Sequence, residues 1–155
     1  MNDLLEMSKI SADFSQITEG GIFSDSRGTI AFANDFDLSP IKRFYLITHP
    51  NTAIIRAWQG HKIERKWFFC TKGSFEIRVV KIDNWDNPSK ELNIKNHILN
   101  SNKSQVLTVE KGCCTAIRAL ENAASLMVFS DKMLDEAKND DFRFDKNYWF
   151  NWETT

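Results

Sequence analysis

Alternation of apolar and polar residues in the middle of the chain predicts short β-strands. In the segment SFEIRVVKI, Ser74 to Ile82, apolar residues recur at every second position from Phe75, which is typical of a strand with one buried face. The segment RKWFFCT, Arg65 to Thr71, precedes it, and Lys72-Gly73 lies between the two. Glycine adopts the positive φ that tight turns need. These two strands are therefore predicted to form a hairpin.

Similar β-prone runs recur on both sides of this hairpin. A second glycine turn, Lys111-Gly112, separates two of them and predicts another hairpin. The further predicted strands are Ile41 to Thr48, Thr52 to Trp58, Gln105 to Glu110, Cys113 to Leu120 and Ser125 to Ser130. Only the segment around Asp131 to Ala137 predicts a helix, which is short and exposed.

The number and spacing of these strands predict the fold class. Many short strands with turns about every 8–12 residues indicate an antiparallel sandwich or barrel. A jelly roll closes this many strands compactly and leaves an open mouth for a ligand. The 155 residues fit one domain with a substantial core. We expect one all-β jelly-roll domain over residues 1–155, with an N-terminal extension over 1–20 and a helix and tail over 131–155.

Composition and charge exclude several classes of partner. The 20 basic and 21 acidic residues give a net charge of −1, so no basic surface for nucleic acid is expected. The start, MNDLLEMSKISADF, lacks the features of a signal peptide, and no apolar run approaches the roughly 20 residues of a membrane helix. Three cysteines inside apolar segments suggest reduced, structural thiols. We expect a soluble cytoplasmic protein.

The three histidines are the first candidates for chemistry. His49 lies in the turn THPN and His97 in a polar stretch, so both are predicted to face solvent, whereas His61 directly precedes an apolar strand. A metal site usually needs three or more N, O or S ligands. The position two before His61 is Gln59, and the later hairpin TVEKGCCTAIRA contains no histidine. We therefore predict no catalytic metal.

Cations near His61 indicate an anionic ligand. No serine or cysteine lies in a glycine-flanked elbow, and no phosphate-cradling glycine loop occurs. Arginine binds phosphate with two parallel hydrogen bonds, and cations would keep a nearby imidazole neutral and able to accept a proton. The candidate cations are Arg27, Arg43, Arg56, Lys62 and Arg65. Taken singly, Arg65 and Lys66 are expected to be merely solvated.

Three segments resemble a known family. FSDSRGTI, PIKRFYLI and RAWQGHKIERKWFFCTKGSF are similar to segments of the nucleotide-sugar 3,4-ketoisomerases and the related 3,5-epimerases of deoxysugar pathways. The ending VFSDKMLDEAKNDDFRFDKNYW resembles the close of such chains, so the similarity runs from about Gly21 to Trp149. The resemblance implies a cupin-type double-stranded β-helix of the metal-free branch, without a cofactor. It also implies a homodimer, which some members build by exchanging a strand.

The resemblance assigns roles to individual residues. Arg27 and Arg56 match arginines near the nucleotide diphosphate or sugar, and Tyr45 matches a pocket tyrosine that is an acid or hydrogen-bond partner. The ketoisomerase pattern Arg-Gly-x-His-x-His-Lys becomes RAWQGHK here. The second histidine is therefore His61, whereas Gln59 replaces the first. Glutamine can hydrogen-bond a hydroxyl or carbonyl but cannot take a proton.

The implied substrate is a nucleotide-linked 4-keto-6-deoxyhexose, most often carried on thymidine diphosphate. His61 is the candidate base for the proton at C3, and Tyr45, Gln59 and Lys62 are candidate donors to the enediolate. We favour 3,4-ketoisomerisation over epimerisation, because 3,5-epimerisation would rely on the histidine that Gln59 replaces. Two alternatives stay open: a catalytically inactive sugar-nucleotide-binding cupin, and a metal-dependent cupin dioxygenase.

Overall fold

The computed structural model describes residues 13–154, which form two five-stranded antiparallel sheets and a separate two-stranded ribbon. The strands are β1 (Ser15–Glu19), β2 (Gly21–Asp25), β3 (Gly28–Phe32), β4 (Arg43–His49), β5 (Ile55–His61), β6 (Lys66–Lys72), β7 (Ser74–Lys81), β8 (Ile94–Asn100), β9 (Gln105–Val109), β10 (Cys113–Ala119), β11 (Ala124–Ser130) and β12 (Phe142–Arg143). A single turn of helix, α1 (Leu134–Ala137), precedes β12, and a 3-10 helix (Trp152–Thr154) follows it.

Most consecutive strands lie in opposite sheets. The first sheet has the order β1-β9-β6-β11-β4, and the second has the order β12-β5-β10-β7-β8. The chain therefore crosses between the sheets after β4, β5, β6, β8, β9, β10 and β11. Such crossing of antiparallel strands between two sheets is the jelly-roll arrangement. The predicted all-β, cupin-type fold is confirmed.

Side chains from both sheets fill the space between them. Phe68 and Val128 from the first sheet pack with Ile77, Val79 and Ile117 from the second, and all are buried. Full burial of such a side chain stabilises the fold by about 1.5–3 kcal/mol relative to exposure. The period-2 alternation of β7 is thus explained by one face turned to this core.

A second apolar cluster covers the outer face of the second sheet. The C-terminal segment returns across that sheet and buries Trp149 and Trp152 against Trp58 of β5. The indole N–H of Trp58 donates to the carbonyl of Lys146 at 3.0 Å. This packing carries β12 into pairing with β5, so β12 forms one edge of the second sheet.

The two predicted hairpins are wrong, because β6 and β7 lie in opposite sheets, as do β9 and β10, so the glycine turns connect the sheets instead of pairing the strands. The N-terminal prediction also needs correction. Gly73 and Gly112 have φ of 72° and 83°, as the two turns require. The segment Ser15–Glu19 is not an extension, because it pairs with β9 along its whole length. This strand lies at the edge of its sheet and is polar, so no apolar pattern indicated it. Residues 1–12 of the predicted extension lie outside the described residues.

The ribbon formed by β2 and β3 stands apart from both sheets. Within residues 13–154 it pairs with no other strand. Phe23 lies opposite Ile30, and these side chains are 56% and 60% exposed. The ribbon therefore presents an uncovered apolar face. No helix among the described residues is both long enough and apolar enough to span a membrane.

Candidate active site

A cavity of about 770 Å³ opens between the sheets, within the size range of small-molecule sites. Strands β4, β5, β6, β10 and β12 contribute its walls. Its polar lining consists mainly of Tyr45, Arg56, Gln59, Lys66, Thr115 and Arg143. A pocket with two guanidinium groups and several hydrogen-bonding groups suits an anionic, hydroxylated ligand.

A smaller cavity of about 190 Å³ adjoins the first. Tyr45, Gln59 and Lys66 line both cavities and therefore stand at their junction. The further polar residues of the smaller cavity are Arg43, His61, Glu64, Lys138 and Asp141. The structure thus brings together five of the residues singled out from the sequence: Arg43, Tyr45, Arg56, Gln59 and His61.

The His61 ring is held in one tautomer. Its Nδ1 lies 2.6 Å from the carbonyl oxygen of Asp140. A carbonyl can only accept a hydrogen bond, so in the neutral ring Nδ1 carries the hydrogen and Nε2 carries a lone pair. Nε2 is buried and has no hydrogen-bond partner among the described residues. His61 therefore offers an uncommitted proton acceptor.

The surroundings of His61 keep the ring neutral. Burial lowers its pKa, and the ammonium of Lys66 lowers it further. Glu64 and the carbonyl and carboxylate of Asp140 raise the pKa and offset these effects only in part. Since the unperturbed pKa of histidine is already about 6.5, His61 is unprotonated at neutral pH, as a general base must be.

Asp140 also fixes the backbone that follows His61. Its carboxylate accepts the N–H groups of Lys62 at 2.7 Å, Ile63 at 3.0 Å and Glu64 at 2.9 Å. Three hydrogen bonds to one carboxyl group hold this turn in place. The pairing of β12 with β5 places Asp140 at this point. The C-terminal segment is therefore part of the structure that orients His61.

Lys66 lines both cavities, and the sequence prediction missed it. Its side chain is only 8% exposed, and its Nζ donates to the Tyr45 hydroxyl at 3.0 Å. Because the phenolic oxygen accepts this bond, the phenolic hydrogen is left to donate elsewhere. The prediction that Lys66 is solvated is wrong. Alternation along β6 places it on the same face as Phe68 and Cys70, and that was the available signal.

Arg56 is supported by a buried histidine. Its Nε donates to Nε2 of His49 at 3.2 Å, and His49 is only 1% exposed. The prediction that His49 faces solvent is therefore wrong. His97, predicted likewise, is half-buried, with Nε2 at 2.9 Å from the Ser15 hydroxyl. Burial and the charge of Arg56 lower the pKa of His49, so it can accept the Arg56 hydrogen bond.

Other predicted cations lie elsewhere or are already engaged. Arg43 donates to Glu64 at 2.9 Å. Arg27 is in the turn of the ribbon, with an 83% exposed side chain paired to Asp25. Lys62 lies over the Phe142 ring at 4.6 Å. The structure therefore brings neither Arg27 nor Lys62 to the cavity walls. Arg65 also lies away from them, stacked on Trp67 and paired with Glu110.

Strand β12 and the residue before it supply two polar side chains that the sequence analysis did not select. Arg143 lines the larger cavity and pairs with Asp141 at 3.1 Å. Asp141 accepts a hydrogen bond from the Gln59 amide at 3.1 Å. Gln59 and Arg143 are opposite each other in the register of β5 and β12. The short pairing of β12 with β5 is what brings Arg143 and Asp141 to the cavities.

The groups around His61 offer acid–base chemistry. Among residues 13–154, no three or more His, Cys, Asp and Glu side chains are grouped to hold a metal ion. The carboxylate of Glu64 is instead occupied by Arg43 at 2.9 Å and Lys66 at 3.4 Å, and a cation would have to compete with both. The site combines a neutral imidazole, a phenol, an ammonium and an amide.

Comparison with known proteins identifies the family. The family described as FdtA: WxcM-like, C-terminal matches residues 11–150, which is most of the chain. None of the curated proteins matches the sequence. The family resemblance inferred from the motifs around Arg27, Tyr45 and His61 is confirmed.

Solved structures of sugar-nucleotide enzymes share the fold. A dTDP-4-dehydrorhamnose 3,5-epimerase from Bacillus anthracis superposes with a TM-score of 0.72 at 15% identity, covering 88% of this chain and 82% of its own. A variant of the 3,4-ketoisomerase QdtA from Thermoanaerobacterium thermosaccharolyticum gives 0.65 at 23% identity, with 88% and 91% covered. The 3'-monoepimerase ChmJ from Streptomyces bikiniensis gives 0.68 at 16% identity, with 85% and 70% covered.

Proposed function

Because the chain belongs to the FdtA: WxcM-like, C-terminal family, we propose that it is a sugar-nucleotide isomerase. Its reaction is proton transfer next to the ketone of a nucleotide-linked 4-keto-6-deoxyhexose, foremost 3,4-ketoisomerisation. The observation that carries the proposal is His61, a neutral imidazole with Nδ1–H committed to Asp140 and a free Nε2. Relatives of the same fold include a 3,4-ketoisomerase in complex with TDP-4-keto-6-deoxyglucose.

The proposed reaction is a balanced proton shift. Nε2 of His61 removes the proton from C3, and the electron pair moves into the C3–C4 bond as the C4 oxygen becomes an enediolate oxygen. Tyr45 donates its hydrogen bond to that oxygen, beside the positive charge of Lys66. A proton then returns to C4 while the C3 hydroxyl loses its own. The product is the 3-keto isomer.

The larger cavity provides the binding groups of the proposal. Arg56 and Arg143 both line it, and two guanidinium groups suit the two phosphates of a nucleoside diphosphate. Gln59 can hold a sugar hydroxyl or carbonyl through its amide. TDP is bound in the related epimerase structure and in one of QdtA, which favours a thymidine nucleotide here.

Proton exchange tests the proposed function. The protein is incubated in heavy water with thymidine-diphosphate 4-keto-6-deoxyglucose, and C3 and C5 are followed by proton NMR. We expect deuterium to enter at C3 together with signals of the 3-keto isomer. The variant His61→Asn should fold normally, by circular dichroism, and exchange nothing. Undiminished exchange in that variant would remove His61 as the base, and exchange at C5 would favour an epimerase.

The replacement of a histidine by Gln59 favours a second candidate function. A cupin that binds a sugar nucleotide without converting it would keep the arginines and need only one hydrogen-bonding side chain at this position. The amide of Gln59 is already bonded to Asp141, as in a static binding site. Calorimetry beside the exchange assay separates the two: binding without exchange or turnover supports the binding module, and turnover excludes it.

A second copy of the chain is the proposed partner of the β2–β3 ribbon. An isolated two-stranded ribbon is at best marginally stable in water, yet this one exposes Phe23 and Ile30. The edge strand β4 exposes Phe44 and Leu46 and offers a matching apolar edge. In a homodimer formed through the ribbon, Arg27 would be carried onto the other subunit, and only there could it act on the nucleotide.

A further inference from the structure

Glu64 is an ionised group buried at the centre of the site. Its side chain is 2% exposed, and its Oε2 accepts hydrogen bonds from Ser130 at 2.5 Å and Arg43 at 2.9 Å. Its Oε1 faces Nδ1 of His61 at 3.3 Å and Nζ of Lys66 at 3.4 Å. One carboxylate therefore contacts both the candidate base and the ammonium behind Tyr45.

Burying a carboxylate is costly unless it is paired and hydrogen-bonded. Burial by itself raises the pKa of Glu64, but Lys66, Ser130, His61 and Arg43 together hold that pKa below its ordinary value. Glu64 is therefore charged throughout the neutral range. The two carboxylate oxygens have different partners. One is fixed to Arg43 and Ser130, and the other faces His61 and Lys66.

We propose that Glu64 is a positioning residue that sustains the basicity of His61 and anchors Lys66 beside Tyr45. A negative charge at Nδ1 stabilises the imidazolium that forms when Nε2 takes a proton. The same oxygen attracts the Lys66 ammonium, which is bonded to Tyr45 at 3.0 Å. The catalytic role of Glu64 rests on the proposed function, whereas its contacts with His61 and Lys66 are independent of that function.

Charged groups other than Glu64 also affect the pKa of His61. Lys66 on β6 opposes its protonation, and Asp140 on the C-terminal segment favours it. Asp141, also on that segment, is charged and close enough to interact with His61. Arg43 on β4 acts through its ion pair with Glu64. Among residues 13–154, Glu64 alone is paired with His61, Lys66 and Arg43 together, so its neutralisation should affect all three.

The test compares Glu64→Gln with wild type by NMR titration of the His61 ring, without substrate. We expect the titration midpoint of His61 to fall by about one pH unit or more, because an opposite charge within contact distance is lost. An unchanged midpoint in folded Glu64→Gln overturns the proposal. So does a wild-type His61 that never protonates before the protein unfolds, because Glu64 would then not be sustaining its basicity.

Glu76→Gln is the matched control. Glu76 is also buried, paired with Arg78 and Arg118, but those partners stack on aromatic rings of the C-terminal segment, away from the cavity. This variant should lose stability yet keep the wild-type His61 midpoint. If both variants shift the midpoint equally, the effect is a general one of buried charge and the proposal fails.

Kinetics complete the test where turnover is observed. Glu64→Gln should lower kcat about tenfold or more, leave KM within about twofold, and move the acid limb of the pH profile to lower pH. Glu64→Asp keeps the charge, so it should restore the His61 midpoint towards wild type while kcat stays reduced. If Glu64→Gln does not fold, the kcat of Glu64→Asp alone tests the anchoring of Lys66. An unaltered kcat in both variants overturns the anchoring of Lys66.

Discussion

At the scale of single residues, Lys66 is the clearest case of a buried charge that lowers folding stability and serves the proposed reaction instead. A buried ammonium is tolerated only when it is paired and hydrogen-bonded, and here Glu64 and Tyr45 meet that need at 3.4 Å and 3.0 Å. Apolar residues in place of both Lys66 and Glu64 would remove this cost. The position of Lys66 at the junction of the two cavities fits a role in stabilising a developing negative charge.

We therefore expect Lys66→Met to lower kcat about 100-fold, the effect of losing one electrostatic donor, and to lower thermal stability as well, because the buried Glu64 loses one of its cationic partners. Lys72→Met is the control, because Lys72 lies at the exposed far end of the same strand. Steady-state kinetics and a thermal melt measure the two effects. A full rate in Lys66→Met would assign the stabilisation of the enediolate to Gln59 or Tyr45 alone.

Single elements differ in how far the sequence predicts them. Strand β7 follows from its alternation, and the turn before it follows from Gly73, which has the positive φ that the turn needs. The pairing of β6 and β7 does not follow, because these strands lie in opposite sheets. Strand β1 escapes prediction because it is polar and lies at an edge. Strand β12 has two residues and exists only because aromatic packing returns the C-terminal segment across the sheet.

The residues of the candidate site also differ in how far the sequence predicts them, and for the same physical reason. Tyr45, Arg56 and His61 can be selected from local motifs, because each lies on a strand with a clear pattern. Glu64 and Asp140 cannot, since their roles arise from contacts between a loop and a segment about 76 residues apart in sequence. Contacts of that kind depend on the completed fold and leave no periodic signal.

For the β2–β3 ribbon, the expected outcome of Ile30→Asp is a monomer. The substitution places a charge on the face that also carries Phe23, where the second subunit is proposed to dock. Thr29→Asp is the matched control on the opposite face, where Thr29 pairs with Ser24. Light scattering coupled to gel filtration gives the mass. A wild-type monomer, or an Ile30→Asp dimer, would place the interface elsewhere.

At the scale of the whole molecule, all three histidines are held neutral by the fold. Burial lowers the pKa of His49, His61 and His97, and nearby cations lower it further. The unfolded chain therefore binds protons from about pH 6.5 downwards, before the folded protein does. By linkage, stability is complete above this range and falls as pH decreases through it.

We expect the urea midpoint of unfolding to decrease steadily from pH 7.5 to pH 5, before the carboxylates titrate. His97→Gln should flatten this decrease in part, because His97 lies outside both cavities and its replacement removes one of the three groups. Equilibrium unfolding at several pH values measures both. A midpoint independent of pH across this interval would show that these histidines protonate as easily in the folded protein as in the unfolded one.

The position of Asp140 has a consequence for biosynthesis. It follows every strand from β1 to β11 in the sequence, yet its carboxylate and carbonyl fix the turn after β5 and the His61 ring. During translation, the chain therefore emerges with its barrel strands before its acid–base centre can be assembled. A nascent chain halted after β11 carries the proposed base without the groups that orient it, so the acid–base centre can be assembled only after Asp140 has been synthesised.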